Sequence, residues 1–160
     1  MKIAVAKYAV GNPADFEAFA ARQRQILGEA CGAGVELAVL PEYLSLELAS
    51  TFAPEISREL NASLAGLQTR QSVWRALYAD LSRELRLVIQ AGTFLTEVAP
   101  GRYRNRAWWF APDGTRGYQD KLQLTGFERD AGVIEGGDEL KVFDLAGVRA
   151  GIAVCYDSEF

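Results

Sequence analysis

Histidine is absent from the 160 residues of this sequence, and its absence narrows the chemistry open to the protein. Hydrolases with a Ser-His-Asp triad or a Cys-His pair are excluded, as are zinc sites with histidine ligands and imidazole general bases. Any catalysis must therefore use carboxylates, amines, thiols or hydroxyls.

Cysteines and long apolar runs are also scarce. Cys31 and Cys155 stand far apart and form neither a CxxC pair nor a dense disulfide pattern, which favours a reducing compartment. The apolar run in MKIAVAKY is too short for a signal peptide, and no stretch approaches the roughly 18 apolar residues of a membrane-spanning helix. The sequence predicts a soluble, cytoplasmic protein with no membrane partner.

Basic residues do not dominate the charge. Lys and Arg number 17 against 21 Asp and Glu, and the charges are scattered singly, so a nucleic-acid partner is not expected. A hydrophobic share of 49% with 24% charged residues is typical of a globular protein, which excludes disordered, collagenous and coiled-coil classes. We expect one domain over residues 1–160.

The hydrophobic periodicity predicts an α/β fold whose first strands are parallel. Short apolar runs predict buried strands, and apolar residues at helical spacing predict amphipathic helices between them. A strand-helix-strand order implies parallel pairing through a right-handed crossover. The predicted strands are residues 3–5, 37–40 and 87–89, and the predicted helices are 13–32 and 64–85, with a loop at 45–59.

The later part of the chain consists of short strand-like segments separated by turn sequences, which predicts antiparallel hairpins on the same sheet. Strand-like pieces are separated by good turn sequences such as APDG at residues 111–114. The chain stops soon after an apolar strand expected in mid-sheet, which suggests a fragment, although a naturally small domain is the alternative. The predicted strands are residues 93–95, 103–110, 117–122, 140–145 and 148–154, with a loop at 125–138.

Polar side chains stand at the ends of three predicted strands, where open α/β sheets place their ligand sites. Glu42 follows a buried strand, where desolvation raises the pKa of a carboxylate toward that of a general base; the alternative is a loop carboxylate that caps a backbone N–H. Lys121 is either a cation fixed for an oxyanion or a solvated surface charge.

Cys155 directly follows the apolar residues 148–154 and precedes the polar run YDSE. A thiol at such a strand end is either a nucleophile or a buried apolar group, whereas Cys31 is of the structural type. Without histidine, activation of the thiol needs a carboxylate base and a cation that stabilises negative charge. Glu42 and Lys121 are candidates of those two kinds.

Three segments carry a resemblance to a known family. LPEY at 40–43, YQDKLQLTGFE at 118–128 and GIAVCYDSEF at 151–160 resemble the nitrilase superfamily of carbon-nitrogen hydrolases, whose Glu-Lys-Cys triad lies in three such segments in this order. The resemblance covers the whole chain, including YRNRAWWF at 103–110. Within the superfamily, CYDSEF and KLQLTGFE are most similar to the Rim1-like nitrilase branch, and not to the true nitrile hydrolases.

The resemblance implies a role for each matching residue. Glu42 would be the general base, Lys121 the cation of the transition state and Cys155 the nucleophile. A second glutamate, Glu128, would position the substrate or the lysine. The backbone N–H of Tyr156 would join Lys121 in the oxyanion hole. Outside this set, the carboxylates of Asp157 and Glu159 are expected to be structural, because a carboxylate beside the nucleophile more often anchors the loop than reacts.

The resemblance also implies a fold and an activity. The family fold is a four-layer α-β-β-α sandwich, of which this chain would supply about the first half, and its members use no metal and no organic cofactor. The implied activity is hydrolysis of a small-molecule amide through a cysteine thioester, in a homodimer or higher homo-oligomer. Acyl transfer to an amine and a non-catalytic binding or scaffold role are the alternatives.

Overall fold

The computed structural model describes residues Met1 to Phe160, and its centre is a mixed sheet of six strands. In chain order the strands are β1 (Ile3–Val5), β2 (Leu37–Val39), β3 (Val88–Ala99), β4 (Arg102–Phe110), β5 (Arg116–Asp120) and β6 (Ile134–Glu135). The spatial order is β1-β2-β3-β4-β5, and β6 pairs with β4. β1, β2 and β3 are parallel, while β3-β4 and β4-β5 are antiparallel. The predicted change from parallel to antiparallel strand pairing along the chain is therefore confirmed.

Helices fill both crossovers between the parallel strands. α1 follows β1, and a 3₁₀ helix over Leu44–Thr51 with three α-helices follows β2. The sequence prediction of a loop at 45–59 was wrong, and the second predicted helix is two helices separated at Thr69 and Arg70. No helix combines the length and the apolar character that crossing a membrane requires. The helices are α1 (Phe16–Gly32), α2 (Pro54–Ser57), α3 (Leu60–Gln68) and α4 (Gln71–Leu85).

The main core lies between these helices and one face of the sheet. Trp74 on α4 is fully buried, and its ring lies 4.9 Å from that of Tyr78 and 5.3 Å from that of Phe94, measured between centroids. Trp108 belongs to this core, whereas its neighbour Trp109 packs on the opposite face, as strand alternation requires. Burial of these large rings, together with that of the leucines in the same core, stabilises the helix layer on the sheet.

The opposite face of the sheet is covered by a separate hairpin of β7 (Phe143–Leu145) and β8 (Val148–Ala150). Leu145 packs there against Leu37, Val88 and Trp109. The predicted last strand pair is thus correct in its pairing, but it is shorter than expected and does not join the main sheet, and residues 151–154 are not a strand. Helices, main sheet and hairpin form an α-β-β stack, which confirms the α/β class of the predicted sandwich.

β1 differs from the prediction of a buried strand. Ile3 and Val5 are 50% and 76% exposed, because they lie on the face of the sheet that the hairpin covers only around β2 and β3. α1 also begins later than predicted, since the carboxylate of Asp15, and not the turn at Pro13, caps it by accepting the N–H of Ala18 at 2.8 Å.

The polar segment 125–138 is not a plain loop as predicted. It contains α5 (Gly126–Ala131) and the short strand β6. Thr125 caps α5, and its side chain and that of Glu128 form a reciprocal capping box, which is the sequence signal T-x-x-E that the composition of the segment concealed. This helix brings Glu128 into the interior.

β3 is one strand of 12 residues and not the two pieces predicted at 87–89 and 93–95. Its pairing with β4 is irregular between Gln90 and Thr93, where Gly92 has a φ of +70°. A Cβ built on Gly92 would overlap the carbonyl oxygen of Pro41 and lie 3.1 Å from the Cβ of Leu44. Glycine is therefore required here, because the backbone of β3 lies directly against the segment that carries Glu42.

Gly92→Ala is expected to destabilise the protein more than Gly101→Ala. Both glycines have nearly the same left-handed φ, +70° and +68°, but nothing lies within 4 Å of a Cβ on Gly101. The conformational strain should cost about 1–2 kcal/mol at either position, and the overlap at Gly92 should add about 2 kcal/mol. Urea unfolding of the intact protein measures both, and equal losses would contradict the close approach of β3 to Pro41.

Candidate active site

Glu42 lies just beyond the end of β2, on a segment that is hydrogen-bonded to β3. The N–H of Leu40 donates to the carbonyl of Gln90 at 2.9 Å, and the N–H of Tyr43 donates to the Oγ1 of Thr93 at 2.7 Å. Tyr43 itself has a left-handed φ of 61°. These two bonds on either side of Glu42 fix the direction of its side chain, which is 20% exposed.

Lys121 directly follows β5, and its side chain is only 1% exposed. Its Nζ donates to the Oε1 of Glu42 at 2.8 Å and lies 2.8 Å from the Oε2 of Glu128. Burial by itself would lower the pKa of Lys121, but the hydrogen bonds and charges of Glu128 and Glu42 outweigh it and raise the pKa above the ordinary 10.5. Lys121 is therefore a buried ammonium ion, and the alternative of a solvated surface charge is wrong.

Glu128 is 1% exposed, and both of its carboxylate oxygens accept hydrogen bonds. Its Oε2 accepts the N–H of Thr125 at 2.8 Å and the hydroxyl of Thr125 at 3.0 Å, while its Oε1 accepts the hydroxyl of Tyr43 and the Nζ of Lys121. Burial raises the pKa of Glu128, but the hydrogen bonds from Lys121, Tyr43 and Thr125 outweigh it and lower the pKa to about 2. Of the two roles that the resemblance offered, the geometry matches contact with the lysine.

Asn105 on β4 joins the two carboxylates and was missed as a site residue by the sequence reasoning. Its Nδ2 donates to the Oε1 of Glu42 at 2.8 Å and to the Oε1 of Glu128 at 3.3 Å, and the residue is fully buried. A signal did exist, since Asn105 alternates along β4 with the buried Tyr103 and Ala107. An amide at a buried strand position needs polar partners.

Cys155 begins a 3₁₀ helix over Cys155–Glu159 and has a φ of 49°. The residue is exposed, and together with Glu42 and Thr93 it lines a cavity of about 270 Å³ between the main sheet and residues 150–155. Partial burial raises the pKa of the thiol above the ordinary 9.0, and the neighbouring Glu42 raises it further, while Lys121 opposes the shift. The thiol therefore lies within electrostatic reach of both partners and is protonated at neutral pH.

Tyr156 follows with its side chain 36% exposed and its ring edge-on to that of Phe160. Its backbone N–H lowers the pKa of the Cys155 thiol and so favours the thiolate. The expected oxyanion hole stays a prediction. No group of three or more Cys, Asp and Glu side chains has the arrangement of a metal site.

The chain is similar in sequence to known proteins of one family. The family model described as carbon-nitrogen hydrolase matches residues 2–160. The chain is 32% identical over 160 residues to the probable hydrolase YhcX of Bacillus subtilis, covering 100% of this chain and 30% of that protein. It is 23% identical over 144 residues to the omega-amidase NIT2-B of Xenopus laevis, covering 85% of this chain and 48% of that protein. The chain thus spans less than half the length of these curated relatives.

Solved structures share the fold at low sequence identity. A carbon-nitrogen hydrolase from Helicobacter pylori superposes with a TM-score of 0.76 at 18% identity, over 99% of this chain and 52% of that one. A mutant amidase from Nesterenkonia sp. superposes with a TM-score of 0.75 at 18% identity, over 100% of this chain and 59% of that one. This similarity establishes the nitrilase-type fold of the chain.

Acid should remove a part of the stability that Glu128 provides. Because the folded-state pKa of Glu128 is about 2 and its ordinary value is 4.5, the ion contributes stability above pH 4.5 that is lost as the pH falls toward 2. Glu128→Gln should therefore weaken the fall in unfolding free energy between about pH 6 and about pH 3. Urea unfolding at the two pH values measures it, with Glu84→Gln at an exposed carboxylate as control, and an unchanged fall would contradict the pairing.

Proposed function

The chain belongs to the carbon-nitrogen hydrolase family, and we propose that the intact protein hydrolyses a small-molecule amide through a thioester on Cys155. One observation carries the proposal: the buried ammonium of Lys121 contacts Glu42, and Glu42 and the exposed Cys155 line one cavity. A base, a cation and a nucleophile are thus available in a site without histidine. The mutant amidase from Nesterenkonia sp. supports a cysteine mechanism, since acrylamide has added to its active-site cysteine.

Glu42 is suited to be the general base because its two oxygens differ. Oε1 accepts the bonds from Lys121 and Asn105, whereas Oε2 is free of both. In the first step Oε2 takes the proton of the Cys155 thiol while the sulfur attacks the amide carbonyl carbon. A C–S bond forms, and the π electrons of the carbonyl move to its oxygen. Lys121 and the N–H of Tyr156 stabilise the oxyanion.

Collapse of this intermediate restores the carbonyl and breaks the C–N bond. The leaving ammonia or amine departs with the proton that Glu42 had taken. Glu42 then removes a proton from a water molecule, whose oxygen attacks the thioester. The C–S bond breaks and the sulfur recovers that proton, so that the products are a carboxylic acid and free enzyme. Lys121 keeps its own proton throughout, because its pKa is raised.

Cys155→Ala is expected to lower the release of ammonia from a panel of primary amides by at least about 10³-fold in the intact protein. Cys31→Ala is the matched control, because the Cys31 thiol donates to the carbonyl of Leu85 at 3.3 Å and lies outside the cavity. Undiminished turnover by Cys155→Ala would overturn the proposal. A natural protein that releases no ammonia and whose Cys155 is no more reactive to iodoacetamide than Cys31 would instead be a non-catalytic binding protein.

Glu42→Gln should separate turnover from thiol reactivity. Turnover is expected to fall by about 10²–10⁴-fold with the loss of the base. Alkylation of Cys155 by iodoacetamide near neutral pH should become faster, because the charge of Glu42 raises the pKa of the thiol and its removal increases the thiolate fraction. Peptide mass spectrometry measures the alkylation, and Glu55→Gln at an exposed carboxylate of α2 is the control. Slower alkylation together with lower turnover would contradict the electrostatic contact.

A further inference from the structure

The carboxylate of Asp157 collects backbone N–H groups from two different loops. Its Oδ1 accepts the N–H of Leu122 at 3.0 Å and that of Gln123 at 2.7 Å, in the loop that follows Lys121. Its Oδ2 accepts the N–H of Val154 at 2.9 Å, directly before Cys155. Hydrogen bonds from N–H groups to a carboxylate are stronger than those between neutral groups. One side chain therefore links the loop of the lysine to the loop of the cysteine.

Apart from the two bonds that Asp157 accepts from Leu122 and Gln123, no backbone or side-chain hydrogen bond of this geometry joins residues 151–160 to the rest of the chain. The charge of Glu42 acts on the Cys155 thiol and raises its pKa. β8 ends at Ala150, and the remaining bonds of this segment are internal, such as that from the N–H of Asp157 to the carbonyl of Val154 at 3.1 Å. Val154 is buried, and Ile152 packs against the apolar cluster of Leu37, Val88, Trp109 and Leu145, but such apolar packing gives the segment no fixed direction. The backbone position of the cysteine loop thus depends on Asp157.

The lysine loop, in contrast, is fixed without Asp157. The N–H of Lys121 donates to the carbonyl of Asn105 at 2.9 Å, and the carbonyl of Lys121 accepts the N–H of Gly137 at 2.7 Å. The Lys121 side chain is further held by Glu42 and Glu128. Asp157 consequently connects a weakly anchored segment to a firmly held one.

We propose that Asp157 is a positioning residue that sets the place of the Cys155 thiol relative to Lys121 and Glu42. This inference rests on the proposed function above, since it concerns the geometry of that same reaction. Asp157 does not act as a base, because both its oxygens already accept backbone N–H groups that do not give up their protons. A purely local structural role would lower stability but leave the interaction between Cys155 and Lys121 intact.

The test is a double-mutant cycle on the pKa of the Cys155 thiol in the intact protein. Alkylation by iodoacetamide is followed against pH by peptide mass spectrometry in the unchanged protein, Lys121→Met, Asp157→Asn and the double variant, with Cys31 as the internal reference. Lys121→Met should raise the pKa of the thiol, because Lys121 favours the thiolate. The Asp157→Asn change keeps the shape of the side chain but replaces one acceptor by an NH₂ donor. In its background the effect of Lys121→Met should shrink by at least half.

Turnover gives a second readout. Asp157→Asn should lower kcat by about 10- to 100-fold, as a displacement of about 1 Å does, while KM changes by less than about threefold. Glu159→Gln is the matched control, since Glu159 is an exposed carboxylate on the same 3₁₀ helix with no hydrogen-bond partner. This control should leave both the alkylation profile and kcat unchanged.

Failure of the positioning role of Asp157 and failure of the proposed function give different results. If Lys121→Met does not move the thiol pKa in the unchanged background, the proposed site itself fails. If it moves the pKa equally in the unchanged and in the Asp157→Asn backgrounds, the positioning role is wrong and the proposed function stands. Should Asp157→Asn not fold, Asp157→Glu keeps the charge and both acceptors but is one methylene longer. It is expected to fold and to shrink the Lys121 effect, and an unshrunk effect would overturn the inference.

Discussion

The burial of one ammonium ion determines how the candidate site is built. An unpaired charge in the interior costs several kcal/mol, so the position of Lys121 is tolerable only with carboxylates on both sides. Glu42 supplies one of them from the end of β2 and Glu128 the other from the start of α5. The ion therefore ties the parallel half of the sheet to the antiparallel half, and the segments that carry these carboxylates must keep their places for the fold to hold the charge.

The sheet order explains which groups can meet at this ion. β2 and β5 are separated by β3 and β4, and the gap is crossed by the long lysine side chain from beyond β5 and by Asn105 from β4. β3 contributes no charge, but its hydroxyl at Thr93 and its close approach at Gly92 hold the segment with Glu42 in place. The site is thus a product of backbone positions as much as of its charged residues.

Much of this arrangement is predictable from sequence, and the failures have physical causes. Strand-length apolar runs predicted the parallel strands, and the resemblance of three ordered segments to the carbon-nitrogen hydrolases assigned Glu42, Lys121 and Cys155 to one site. Asn105 was missed as a site residue because its hydrogen-bond partners, Glu42 and Glu128, lie on distant segments that only the folded structure brings together. α5 was missed because it is six residues long and its capping box lies in a glycine-punctuated segment. The exposure of β1 was unforeseeable from its own residues, since burial depends on the layer opposite.

The two carboxylates beside Lys121 also form a pair of unlike counter-ions. Glu128, with a pKa of about 2, is a permanent anion at any physiological pH. Glu42, whose Oε2 lies free of the lysine and the asparagine, is the carboxylate that takes a proton in the proposed mechanism. When Glu42 holds a proton, Lys121 is still paired with the carboxylate of Glu128, so the buried ammonium ion is not left without a counter-ion. Substitutions around Glu42 that suit a different leaving group or acceptor therefore leave Lys121 with a counter-ion, because Glu128 keeps its negative charge.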